Sequence, residues 1–129
     1  MSNNITQIGV CMVPVSDVDA AIAFYTDKLG MELRADVAFG EGDRWVEVAP
    51  AGSAARFSFA PPRDGFEPGG NVGVCLESTD VDADHATLRD AGVDVDAEVM
   101  KMGGPVPPMF WFRDQDANVL LLVQTAPEG

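Results

Sequence analysis

Short apolar runs alternate with two amphipathic stretches along the chain, and the whole pattern occurs twice. Residues 8–15 and 72–76 are apolar and strand-like. Each run leads into a short polar segment, Ser16-Asp17-Val18-Asp19 in the first case and Thr79-Asp80-Val81-Asp82, 63 positions later, in the second. Helical spacing follows both segments. Val18, Ile22, Tyr25 and Leu29 form one apolar stripe, and Val81, His85, Leu88 and Gly92 keep the same register. Ser16 and Thr79 are the expected N-caps, with Asp19 and Asp82 completing a [ST]-x-x-[DE] pattern. Asp17 and Asp80 add negative charge where the helix dipole favours it. Gly30 and Gly92 are expected to end the helices in the left-handed conformation.

Three strand-like segments follow each helix, at 31–39, 44–49 and 54–60, then at 94–100, 109–113 and 119–124. The predicted fold class is therefore α+β, two tandem βαβββ modules in one domain spanning 1–129. Module one covers about residues 5–62, a Pro/Gly-rich linker about 63–70, and module two about 71–125. Val119 to Val123 is apolar on both faces, so its second face is expected to meet a ligand, the other half or another chain.

Composition narrows the function classes. The 129 residues are 47% hydrophobic, enough for a core. Acidic side chains outnumber basic ones 21 to 8, giving a net charge of −13. With no basic stripe, nucleic acid and anionic membrane surfaces are excluded as expected partners. No apolar run approaches the roughly 20 residues of a membrane span, and the first residues lack a signal-peptide pattern. Cys11 and Cys75 read as buried free thiols, and the expected location is the cytoplasm.

The run VSDVDAAIAFYTDKLG from Val15 to Gly30 and the run FRDQDANVL from Phe112 to Leu120 resemble the glyoxalase, bleomycin-resistance and extradiol-dioxygenase family, the vicinal oxygen chelate superfamily. The resemblance covers about Ile5 to Gln124. The second run departs from the family's FRDPDGNxxE at Gln115, Ala117 and Leu121. The resemblance implies sheets that curl around a concave pocket, commonly completed in a homodimer. It also implies a divalent metal, held by His and Glu, that a substrate with two neighbouring oxygens chelates. Carried over residue by residue, the ligand positions fall on Val10, Gly73 and Leu121, with a fourth somewhere in residues 56–60, which hold no Asp, Glu or His. Aliphatic side chains donate no lone pair, so no metal cofactor is expected.

His85, the single histidine, reads as a helix residue packed against the sheet. Family phase turns Val10, Met12, Gly73, Cys75 and Glu77 toward the pocket. Valines 46 and 48 facing the helix would turn Trp45 and Glu47 the same way. Met102, Met109, Trp111 and Leu121 complete the expected lining. Glu47 and Glu77 are the candidate acid–base residues. The leading reading is a metal-free protein that sequesters a small aromatic or cationic ligand, with Trp45 and Trp111 stacking and Glu47 pairing with positive charge. The alternative is a glyoxalase- or dioxygenase-like lyase or isomerase, acting through pocket carboxylates or a displaced metal site.

Overall fold

The computed structural model describes residues 3–125. It divides into two compact units, Met1–Arg63 and Asp64–Gly129. Each builds its own four-stranded mixed sheet with a helix inserted after its first strand, an α+β arrangement.

In the first unit β1 (Val10–Pro14) leads into α1 (Val18–Ala23), followed by β2 (Glu32–Phe39), β3 (Asp43–Ala49) and β4 (Arg56–Ala60). The sheet order is β1-β4-β3-β2, with β1 parallel to β4 and the other neighbours antiparallel. Register sorts the side chains into two faces. Val13 pairs with Phe59, and Val48 with Phe57, so these four share the face on which Tyr25 packs. Met12 and Glu47 both pair with Ser58, and Trp45 pairs with Val37, on the opposite, open face.

The helix departs from the sequence expectation twice. Asp17, not Ser16, is the N-cap, its Oδ1 accepting from the Asp19 and Ala20 amides at 2.9 and 3.2 Å. A carboxylate is the stronger acceptor for amides at the positive end of the dipole. The α-helix also ends at Ala23, and Phe24–Lys28 continue as a π-helical turn. There Thr26 Oγ1 donates to the Ile22 carbonyl at 2.7 Å, competing for an acceptor that the regular ladder uses. Ala21 and Tyr25 are fully buried in consequence, whereas Val18, Ile22 and Leu29 are half-buried.

The second unit runs β5 (Asn71–Ser78), α2 (Val81–Asp90), β6 (Asp94–Val95), β7 (Met109–Arg113) and β8 (Val119–Gln124), in sheet order β5-β8-β7-β6. Asp80 replaces Thr79 as the cap, accepting from the Ala83 amide at 3.1 Å. The sixth strand is far shorter than 94–100: only Met100 returns to bridge Met109. Val81, His85 and Leu88 are buried as the helical stripe requires. The His85 Nε2 lies 2.7 Å from the Asp96 carbonyl, and its ring stands edge-on to Phe110. Both cysteines are free but neither is buried as expected: Cys11 is half-buried, and Cys75 is exposed because alternate β5 residues face away from α2.

The β7–β8 turn carries Ala117 at φ 61°, where its methyl is strained. Replacing Ala117 with glycine is expected to raise stability by about 0.5–1 kcal/mol, because relief of that strain outweighs the added unfolded-state freedom. A urea titration reads this as a higher midpoint at unchanged slope; a lower midpoint would contradict the strain argument.

Candidate functional site

A cleft of about 480 Å³ opens in the first unit. Met12, Ser58, Phe59 and Trp45 line it from the sheet, Ser16 and Asp17 from the start of α1, and Phe39 and Asp43 from the β2–β3 hairpin. Trp45 and Phe39 are 39% and 53% exposed, so two aromatic surfaces stand available.

The polar groups around the cleft are mostly committed to one another. Trp45 Nε1 donates to Glu47 Oε2 at 2.8 Å. Arg56 Nε lies 2.7 Å from Glu47 Oε1, an ion pair whose N–H is not aimed along the contact. Arg44 donates to Asp19 at 3.0 Å and grips both Asp36 oxygens at 2.8 and 3.1 Å, tying the hairpin to α1. The Arg44 hydrogen bonds hold the Asp36 carboxyl below the usual carboxylate range, and Asp36, then Asp19, push the Arg44 pKa up. Asp43 at the rim makes no ion pair among the described residues.

Of the residues expected to form the site, Met12 and Trp45 line this cleft. Glu47 stands on the same open face, outside the cleft lining, with one oxygen turned to the Trp45 indole and the other to Arg56. Val10 lies on the open face of β1 beside Arg56, outside the lining. The remaining candidates belong to the second unit. There Cys75, Leu121 and Trp111 form one cross-strand row, and Glu77, Val123 and Met109 the next. Leu121 is nearly buried, Trp111 and Met109 are half-buried, and Cys75 and Glu77 are exposed. Met102 stands 66% exposed just before the turn closed by Gly103 and Val106. Ser58, Phe39, Asp17 and Asp43 are cleft residues that the sequence pattern did not single out. Ser58 had a detectable signal: the 63-residue offset between modules carries Met12–Ser58 onto Cys75–Leu121, pairs that the strand register makes equivalent.

The family model described as the glyoxalase/bleomycin resistance protein/dioxygenase superfamily matches residues 7–122. The chain belongs to that superfamily. It is 32% identical over 120 residues to the protein YetH of Bacillus subtilis (strain 168), covering 92% of this chain and 98% of that one. Among solved structures it is similar to TnmS3, an antibiotic-binding protein from Streptomyces sp. CB03234, at 34% identity and a TM-score of 0.84, covering 97% of this chain and 100% of that one. A superfamily member from Sphaerobacter thermophilus DSM 20745 matches at 31% identity and the same TM-score of 0.84, with 94% and 98% covered.

Superfamily membership raises the question of a metal, and the donor set here does not fit one. Val10 and Leu121 have aliphatic side chains, and β4 offers Arg, Phe, Ser, Phe and Ala. Gly73 sits at φ 81° within an irregular stretch of β5, a conformation that disfavours any residue with a Cβ, histidine included. Among the described residues no group of three or more His, Cys, Asp or Glu side chains could hold an ion.

Proposed function

We propose that this superfamily member binds a small organic molecule in the first-unit cleft without a metal and releases it chemically unchanged. The observation that carries the reading is the commitment of Glu47, whose two oxygens face the Trp45 indole N–H and the Arg56 guanidinium. A general base needs a lone pair directed at its substrate; Glu47 does not line the cleft, and one lone pair of each of its oxygens already faces the protein. Asp17 Oδ1 caps α1 and Asp19 Oδ1 is paired with Arg44, which leaves the exposed Asp43 as the uncommitted carboxylate of the lining among the described residues. What the cleft offers is surface: Trp45, Phe39 and Met12 suit a flat, aromatic ligand. The exposed Asp43 carboxylate and the net charge of −13 favour a cationic one. Similarity to an antibiotic-binding protein supports the sequestering type. Cytoplasmic location and a homodimer are part of the same proposal.

The test incubates purified protein with aromatic antibiotics, removes the protein, and compares ligand masses before and after. Saturable binding with every ligand recovered at its original mass is the expected result. Catalytic appearance of a new mass overturns the reading. One equivalent of Fe, Mn, Ni or Zn in the purified protein overturns its metal-free part.

A further inference from the structure

Ser58 occupies the middle of the open face of the first sheet, between Met12 on β1 and Glu47 on β3. It is 1% exposed and lines the cleft, yet its hydroxyl oxygen meets no hydrogen-bond partner among the described residues. Folding a hydroxyl into the interior unpartnered is costly, so a partner supplied by a ligand recovers what the protein itself leaves unmade. Glu47, its cross-strand neighbour on β3, turns its carboxylate to Trp45 and Arg56 and makes no hydrogen bond to it.

The surroundings restrict what can approach. Ala60 follows Ser58 on the same face of β4, Met12 stands beside it on β1, and the adjacent Glu47–Arg56 pair is already neutralised. A charged group carried to this depth would find no free counter-charge, whereas a neutral polar group finds a hydroxyl that can donate or accept. The oxygen is sealed, so a ligand must displace a neighbour to touch it. Met12, unbranched and 39% exposed, is the adjacent side chain able to give way.

We infer that Ser58 is the specificity-determining hydrogen-bonding residue of the cleft, selecting aromatic ligands whose inserted edge carries a neutral polar substituent such as a phenolic hydroxyl. This rests on the cleft being the ligand site proposed above. The test compares naphthalene with 2-naphthol at neutral pH, followed through the tryptophan indole N–H resonances of nitrogen-labelled protein. Wild-type protein is expected to bind 2-naphthol about 3- to 10-fold more tightly, the worth of one neutral hydrogen bond. Ser58→Ala is expected to erase that preference, keep the naphthalene affinity, and melt no lower than wild type. Equal affinities in the wild type, or a preference that survives in Ser58→Ala, overturn the inference and leave the cleft as a binding site. Failure of the wild type to bind either compound overturns the cleft reading with it. A lower melting temperature for Ser58→Ala would reveal a structural partner for the hydroxyl and also overturn the inference.

Discussion

Tyr25→Ala is expected to lower the unfolding free energy by about 3–5 kcal/mol, the cost of removing a buried aromatic ring and leaving a cavity. Tyr25 is fully buried and stands at the centre of the first unit's aromatic cluster. Its ring centroid lies 4.9 Å from Phe59, 5.6 Å from Phe57 and 5.5 Å from Phe24. It joins the π-helical turn to β4, the strand that also carries Ser58 toward the cleft. Total domain stabilities are about 5–15 kcal/mol, so the loss brings the chain close to unfolding. Chemical denaturation followed by circular dichroism measures it. A cost under about 1 kcal/mol would mean that the helix does not depend on this ring, contrary to a close-packed interior.

Asn118→Ala is expected to cost about 2–4 kcal/mol, because it strips partners from two groups at once in a buried setting. Asn118 is 1% exposed. Its Oδ1 accepts from the Gly69 amide at 2.9 Å, and its Nδ2 donates to Asp114 Oδ2 at 3.0 Å. Those two partners also fix the orientation of the amide, since only nitrogen can donate to the carboxylate. Asp114 Oδ1 in turn accepts from the Asp116 and Asn118 amides, closing the β7–β8 turn. One side chain thus ties the approach to β5 to the far hairpin of the second sheet. Asn118→Asp keeps an acceptor for Gly69 but sets two carboxylates against each other, so at neutral pH it should destabilise at least as much as alanine. Thermal melts of both variants check the pair. An aspartate variant as stable as wild type would refute the assigned Asn118–Asp114 contact.

The division between legible and illegible features follows from the range of the interactions. Helix positions, most strand positions and the duplicated βαβββ order were readable because periods of 3.6 and 2 are written in neighbouring residues. Val46 and Val48 pointing inward, with Trp45 and Glu47 outward, came from that alternation alone. His85 likewise sits where its helical stripe places it, against Phe110. Even the misplaced caps erred by a single residue, since Ser16 and Asp17 are both credible caps and only the folded turn chooses between them.

The sequence by itself determined the α+β duplication, the superfamily resemblance, and the lack of metal-binding side chains at Val10, Gly73 and Leu121. Tertiary structure alone decided what the polar groups do. Arg56 meets Glu47 because β4 returns antiparallel beside β3, and Arg44 joins Asp19 to Asp36 across 25 and 8 residues of chain. Strand register brought Ser58 between Met12 and Glu47 and buried it without giving its hydroxyl a partner among the described residues. Such pairings depend on which strands become neighbours and in what register. No local pattern records that, so a carboxylate that reads as a free acid in the sequence becomes an occupied one in the fold.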